Sequence, residues 1–475
     1  MLLPLLLAPR PSTPRAGVAQ CAAPLDGIRG IDMQRKLGEV RFEQLTTTAL
    51  SAETLMRGGR PMSAGGAPVV VSLYYGCLTY GDAAGTRILV KEYSADESVP
   101  PPTERAKRAV ASAQGAAGDG DDAMSDEERM RARLDAMLGG GGGGDSGGAA
   151  GDAPREYSAS EVARALAANE FAAHRRLQTL SSPPNTILRC LGRNDPTEGP
   201  DLLNVFPWKG EQVRMALPTR APPTIDSWLR LRANGKTPGF YLDKSVPLTA
   251  ATNRCKYIRA ALKGALGGLA AVHGANMVHC AVGAAAVGVE GEDERKRGGG
   301  FLQDLAFARD APTLKLLRVP TEPAVDDRAE DDPLDSGLRE RAARAGAYTD
   351  EARAAFGAAD DMRAFGLLLL RACVESCAPA GANDIQRLVA LTDGPFAADA
   401  ATNDGSVNVG ALREYLLEED SLRIGGAGGA DVLDAAGGLG WRLLEALLCP
   451  WEERLSARLA ADHPFWDAQI FVKAR

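Results

Sequence analysis

The sequence predicts an α+β protein with a β-rich amino-terminal part, a larger helical part and a cleft between them. Two runs rich in β-branched and aromatic residues, Pro68–Tyr80 and Thr86–Tyr93, are separated by the turn sequence GDAAG and predict a hairpin. A helical pattern over Glu156–Leu180 follows, and beyond Pro207 the apolar spacing becomes helical. The 475 residues suffice for one two-lobed domain of about 250–300 residues with tails and insertions.

The remaining elements follow from local patterns. Helix 156–180 has Ser158 or Ser160 as its N-cap and ends at SSPPN. The stretches ILRCL and DLLNVF read as strands. Four further runs predict helices: TIDSWLRL, NRCKYIRAALKGALGGLAAVH, ADDMRAFGLLLLRACVESC and GLGWRLLEALLC.

Composition and charge exclude several function classes. The net charge of −8 and pI near 5.3 provide no basic surface for DNA or RNA. Eight cysteines without a CxxC pair, and only four histidines, do not favour a zinc site or a disulfide framework. No run approaches the roughly 18 apolar residues that a membrane-spanning helix requires.

The first 30 residues resemble a targeting sequence. They contain Arg10 and Arg15, two hydroxyl residues at 12 and 13, and no acid before Asp26. This predicts a chloroplast transit peptide, with a secretory signal as the alternative interpretation of this segment and a cytoplasmic protein as the alternative location.

Residues 94–155 predict a disordered insertion. They combine a PPP run, an acidic GDGDDAMSDEE run and six consecutive glycines, which cannot bury enough apolar area to offset chain entropy. Within them, SDEERMRARLDAML (125–138) has a capping box and one apolar face. It predicts either a transient solvated helix or a docking element for a partner protein.

Several patterns together resemble the protein kinase superfamily over about residues 60 to 466. ILVKEY is similar to the strand motif V-A-I-K of that family, which implies that Lys91 faces nucleotide phosphates. The resemblance makes Glu170, in NEFAAHRRLQTL, its partner on the following helix. Taken alone, a solvated lysine at a strand end and an exposed helical glutamate would be the simpler interpretations.

The catalytic-loop region resembles the family but lacks its catalytic residues. His279, in MVHCAVGAAAVGV, matches the loop histidine. The aspartate that accepts the substrate proton is replaced by Ala281, the lysine by Gly283 and the metal-binding asparagine by Ala286. Alanine neither accepts a proton nor binds a metal, so the resemblance implies a pseudokinase.

Other matches imply a retained framework. FLQDLAFA resembles the D-F-G region, which makes Asp304 the remaining Mg²⁺ ligand, although a loop-capping role is an equal alternative. DMRAFGLLLL resembles the buried central helix, with Asp361 anchoring the catalytic loop and Gly366 starting the apolar run. The terminal WEERLSARLAADHPFW places Arg454 at the family's buried arginine.

Three features depart from the family pattern. The glycines of GGRPMSAGGAP (58–68) lack the spacing of the phosphate-binding loop. Residues 312–347 are acidic and contain no A-P-E motif, so Glu351 is the suggested partner of Arg454. His174 stands where the family buries an apolar residue one helical turn after Glu170.

The predicted organisation is a transit peptide at 1–30, an extension at 31–67, an amino-terminal lobe at 68–210 with its insertion, a carboxy-terminal lobe at 211–466 and a tail at 467–475.

The favoured function is a scaffold or allosteric regulator of a protein client, with residual binding of ATP and Mg²⁺ through Lys91, Glu170 and Asp304. One alternative is an active serine/threonine kinase whose base is Asp304 or lies in GEDE (291–294). The other is an interaction protein that binds no nucleotide. Besides 125–138, the acidic residues 326–335 are a candidate contact site.

Overall fold

The computed structural model shows a mixed α+β protein built around a six-stranded sheet. The structure describes residues 25–42, 69–80, 83–95, 158–178, 180, 185–194, 202–209, 221–236, 247–295, 298–317, 337–377, 388, 391–392, 396–397, 406–421 and 429–469.

The six-stranded sheet has the strand order β1-β5-β6-β4-β3-β2. Neighbouring strands are antiparallel except β1 and β5, which are parallel. Its strands are β1 (Leu25–Ile28), β2 (Ile31–Phe42), β3 (Val69–Leu78), β4 (Arg87–Ala95), β5 (Gly192–Asn194) and β6 (Leu202–Pro207). The predicted hairpin is therefore β3 and β4, and β4 lies at the centre with a neighbour on each side.

Two strands of the six-stranded sheet were missed by the sequence analysis. β1 and β2 precede the first predicted strand and belong to the same sheet. β2 pairs with β3 along its whole length but shifts register twice. The predicted strand ILRCL was also misplaced, since Ile187 forms only an isolated bridge to Leu302 and β5 begins at Gly192.

Eight α-helices are described, and they include the five predicted outside the insertion 94–155. They are α1 (Ala159–Gln178), α2 (Ile225–Ala233), α3 (Pro247–Gly274), α4 (Leu338–Arg344), α5 (Asp350–Cys377), α6 (Val409–Ser421), α7 (Gly429–Leu448) and α8 (Ala457–Ala461). Ser158, one of the two predicted caps, forms a reciprocal capping box with Glu161 at the start of α1. Helix α2 begins with a similar box between Thr224 and Ser227.

The largest hydrophobic core lies between α3, α5 and α7. Helices α5 and α7 approach closely at Gly366, where an added Cβ would lie 2.8 Å from Leu448 Cδ2 and 3.0 Å from Leu447 Cβ. A glycine is needed there because no side-chain atom fits between the helices. This close approach fixes α5, whose preceding residues reach the candidate site.

Four short strands form two small antiparallel pairs packed against the helices. β7 (Met277–Val278) pairs with β10 (Arg309–Asp310), and β8 (Val287–Val289) pairs with β9 (Gly300–Leu302). The loop after β7 and the turn after β9 therefore lie side by side. They carry residues 279–286 and 303–308, which include half of the predicted site residues.

No helix in the described ranges is both long and apolar enough to cross a membrane. Several predicted segments fall wholly or mainly outside those ranges: most of the transit peptide, the glycine-rich segment 58–68, nearly all of the insertion with its helix 125–138, and the acidic residues 326–335.

Candidate functional site

Lys91 lies at the centre of the site and contacts two carboxylates from distant parts of the chain. Its Nζ is 2.7 Å from Glu170 Oε1 and 2.6 Å from Asp304 Oδ1. The lysine comes from the central strand β4, the glutamate from α1 and the aspartate from the turn after β9. The structure thus brings together the three residues predicted to form the site.

Burial determines the electrostatics of this triad. The Lys91 side chain is only 5% exposed and its ammonium lies 4.9 Å from the centre of the Phe206 ring. Burial alone would lower the pKa of Lys91, but Asp304 and Glu170 hold the pKa above its ordinary value. The lysine is therefore charged, and a single buried cation is shared by two carboxylates.

Two residues that the sequence analysis missed complete the environment of Glu170. Tyr93 Oη and Asn204 Nδ2 both donate to its Oε2. Tyr93 follows Lys91 by two positions on β4, so both side chains point to the same face. Asn204 is directly opposite Lys91 in the β4–β6 register. The alternation of side chains along ILVKEY could have shown that Tyr93 lies on the same face as Lys91. The position of Asn204 could be inferred only once the pairing of β4 with β6 was known.

Asp304 is placed by an unusual backbone conformation. It precedes the 3-10 turn Leu305–Phe307 and has a left-handed backbone with φ of 65°. The three residues of this turn are buried, which fixes the turn and therefore the carboxylate. Because the Asp304 side chain is 12% exposed, it is the most accessible member of the triad.

Helix α1 is tied to the segment that follows Asp304. Asn169 Nδ2 donates to the carbonyl oxygens of Ala306 and Ala308, and its Oδ1 accepts from the Leu317 amide. Arg176 forms a 2.7 Å ion pair with Asp310. These contacts hold Glu170 against Lys91 independently of any ligand.

Asp361 anchors the loop after β7, as predicted from sequence. Its Oδ2 accepts from the amide of His279 at 2.7 Å and its Oδ1 from the amide of Cys280 at 2.9 Å. Cys280 has a φ of 59°, a conformation that a non-glycine residue adopts only when its surroundings hold it. His273, which the sequence analysis missed, also contacts Asp361 Oδ2.

His279 is buried and links the loop to the turn after β9. Its Nδ1 accepts from the Ala281 amide, and its Nε2 lies 3.0 Å from the carbonyl oxygen of Gln303. Since Nδ1 is an acceptor, Nε2 carries the proton and donates to that carbonyl. The histidine is a structural connection rather than a group facing a substrate.

The three positions at which the resemblance implies missing catalytic residues, Ala281, Gly283 and Ala286, are all buried. Ala281 belongs to an apolar cluster that includes Val71, Leu166 and Phe307. Gly283 precedes the 3-10 turn 284–286, in which Ala286 is 2% exposed. None of these side chains supplies an oxygen or nitrogen to the site.

Arg454 and His174 have surroundings that the sequence did not reveal. Arg454 donates to the carbonyl oxygens of Cys449 and Ala359. Arg454 also lies close enough to Asp360 to influence the pKa of that carboxyl. Burial would raise the pKa of Asp360, but Arg341 above all, with Arg454 contributing, lowers it below its ordinary value.

Asp360 is held by a bidentate ion pair with Arg341, whose two N–O distances are 2.6 and 3.0 Å. This ion pair joins α4, which carries Arg341, to α5, which carries Asp360.

His174 is buried one turn after Glu170 on α1 and packs edge-on against Phe206 with 5.4 Å between ring centres. Among the residues that the structure describes, none forms a hydrogen bond with its Nε2. Burial lowers the pKa of His174 to about 4. A neutral imidazole therefore takes the place of the apolar side chain expected from the resemblance.

Within the described part of the chain, no group of three or more His, Cys, Asp or Glu residues is arranged to hold a metal ion. Asp304 is the only carboxylate at the position where the resemblance implies a metal. A divalent ion there would need most of its ligands from water or phosphate, as Mg²⁺ commonly does.

Comparison with protein-family models and with curated proteins found no match to this chain.

Proposed function

We propose that this chain contains a degenerate protein-kinase-like domain that acts as a scaffold or allosteric regulator rather than as a phosphotransferase. The observation that carries this proposal is the contact of Lys91 with both Glu170 and Asp304, next to a loop in which alanine occupies positions 281 and 286. The framework for holding a nucleotide is present, while the groups for proton transfer and for a second metal contact are missing.

The missing groups have a direct chemical consequence. A positioned general base contributes typically about 10²–10⁴-fold to rate, and the Ala281 methyl group cannot supply it. Ala281 also lies in an apolar cluster, so a water molecule held there would have few polar partners. The loss of catalysis is thus built into the packing as well as into the sequence.

A two-lobed arrangement is part of the same proposal. Sheet β1–β6 with α1 corresponds to the smaller lobe, and α2–α8 to the larger one. It is supported by Asp361, which holds the loop after β7 through two backbone amides. Maintaining this strained loop without its catalytic residues suits a protein whose surface, rather than its chemistry, is used.

An active kinase with a relocated base is the less favoured alternative. Asp304 is engaged with Lys91. In the acidic turn, Asp293 accepts from Arg295 and Tyr257 donates to the carbonyl oxygen of Gly291, which ties the turn to α3. The other alternative, an interaction protein without nucleotide, is favoured by the 5% exposure of Lys91.

Two assays test the proposal. Incubation with γ-labelled ATP and general protein substrates should give no incorporation above that of an Asp304→Ala variant. An incorporation that Asp304→Ala abolishes and the exposed control Asp350→Ala retains would identify an active kinase. Thermal-shift titration with ATP, with and without Mg²⁺, then separates a nucleotide-binding pseudokinase from a scaffold that binds none.

We also propose a plastid location and a protein client. The first is tested by fusing residues 1–30 to a fluorescent protein and following its import. The second is tested by comparing client binding of the full chain with that of a chain lacking 94–155. A client bound equally by both chains would exclude the insertion as the contact.

A further inference from the structure

The ammonium of Lys91 is already surrounded. Glu170 and Asp304 each accept a short hydrogen bond from it, and the ring of Phe206 covers another side. With 5% of the side chain exposed, there is little room for an additional anion unless one of these neighbours moves. The two carboxylates differ in burial, since the Glu170 side chain is 0% exposed and the Asp304 side chain 12%.

Glu170 is the more deeply buried of the two carboxylates. Its side chain is fully buried, and its second oxygen accepts from Tyr93 and Asn204. Helix α1, which carries it, is tied to the segment 306–317 through Asn169. Removing Glu170 from Lys91 would break several buried hydrogen bonds together.

Asp304 contacts Lys91 from the turn after β9, and its side chain is 12% exposed. Its short carboxylate contacts a cation that the resemblance assigns to phosphate binding. An oxygen of an incoming phosphate would compete for the same ammonium, and it would be repelled by the charge of Asp304. The carboxylate therefore occupies the position that an anionic ligand would need.

We propose that Asp304 is an internal anion that saturates Lys91, so that the site excludes phosphate-type oxyanions unless Asp304 is neutralised or displaced. This inference rests on the proposed function, because it takes Lys91 as the residue that would face phosphate. It goes further by assigning Asp304 an inhibitory contact in place of a purely metal-binding role. In the absence of an external ligand, a carboxylate of the same chain then fills the anion position at Lys91.

The test uses the full chain in the presence of EDTA, with inorganic tripolyphosphate and ATP as probes. Wild-type protein should show weak or no binding by calorimetry. Asp304→Asn, which keeps the size of the side chain and removes its charge, should bind at least about ten-fold more tightly. The double variant Lys91→Gln/Asp304→Asn should lose that gain, because the ammonium is then absent.

The matched control is Asp310→Asn. It removes one negative charge from the same segment, six positions further on, at a residue that pairs with Arg176 rather than Lys91. This control should leave binding at the wild-type level. An equal gain in Asp310→Asn, a failure of Asp304→Asn to bind more tightly, or tight metal-free binding by wild-type protein would each overturn the inference.

A second measurement covers the case in which Asp304→Asn does not fold. Amine acetylation of wild-type protein, read by mass spectrometry, should modify Lys91 more slowly than the more exposed Lys263, and added tripolyphosphate should not change the rate at Lys91. Protection of Lys91 by tripolyphosphate would contradict the inference. None of these outcomes depends on phosphotransfer, so the labelled-ATP assay still tests the proposed function separately.

Discussion

Lowering the pH is expected to destabilise this protein through one buried histidine. His174 is 2% exposed, and burial lowers its pKa from 6.5 to about 4. The carboxylate of Glu170 opposes this shift, while the ammonium of Lys91 adds to it. The folded protein therefore keeps the imidazole neutral at pH values at which the unfolded chain protonates it.

The sign and size follow from proton linkage. Above pH 6.5 both states are neutral at this position and its full contribution to stability is present. As the pH falls from 6.5 towards 4, only the unfolded state takes up the proton, so the free energy of unfolding falls by about 1.4 kcal/mol per pH unit. Over the whole interval the loss is about 3 kcal/mol.

The perturbation is His174→Leu, which restores the apolar side chain expected at this position and removes the titrating group. Urea unfolding of both proteins at several pH values between 7.5 and 5 measures the difference in their free energies of unfolding. This difference should be constant near the upper limit and should shift by about 2 kcal/mol in favour of the leucine variant by pH 5. His463→Gln, at a partly exposed histidine, is the matched control and should shift less.

A difference between wild-type and His174→Leu that does not change with pH would refute this reasoning. So would an NMR titration in which the His174 ring protons of the folded protein respond with a pKa near 6.5. Either result would mean that the imidazole is solvated or hydrogen-bonded in solution, contrary to the unpartnered Nε2.

Three further substitutions test the contacts that shape the site. Gly366→Ala should lower the free energy of unfolding by about 1–3 kcal/mol through overpacking against α7, whereas Gly410→Ala, whose nearest contact is an ordinary 3.6 Å, should be neutral or stabilising. Asp361→Asn should lower the free energy of unfolding by about 2–3 kcal/mol, because an amide donor would face the two loop amides. The control Asp350→Asn, on the same helix, should change it little. Denaturant unfolding measures both variants. Asn169→Ala should increase hydrogen exchange at Ala308 and Leu317. The control Ser160→Ala, at an exposed position of the same helix, should not. Unchanged exchange in Asn169→Ala would show that Asn169 does not hold the segment 306–317 against α1.

The sequence was sufficient for the elements with strong local patterns. β3 and β4 contain β-branched and aromatic residues, and α3, α5 and α7 show sustained apolar spacing, so type and approximate position could be predicted. β2 was missed because much of it is exposed at the sheet edge, where IDMQRKLGEVRF carries charges and two register shifts interrupt its alternation. β1 has four residues and pairs with a strand far along the chain, which no local pattern shows.

The candidate site, like the fold, could be predicted from the sequence only in part. Lys91, Glu170 and Asp304 are separated by 79 and 213 residues, and only the resemblance to a known family connected them. Asn204 and Asn169 were missed because their roles depend on strand register and on the path of the segment after Asp304. Side chains that act through tertiary contacts with backbone groups carry no sequence signal of their own.

Two residues near α1 have a common consequence. His174 is a buried neutral imidazole where the resemblance implies an apolar side chain, and in our proposal Asp304 takes the place of an external anion at Lys91. Both make the docked position of α1 a property of the chain alone, since Asn169, Arg176 and Lys91 hold the helix without any ligand. A protein that works by presenting one fixed surface needs such a helix, whereas a regulated kinase needs one that can move.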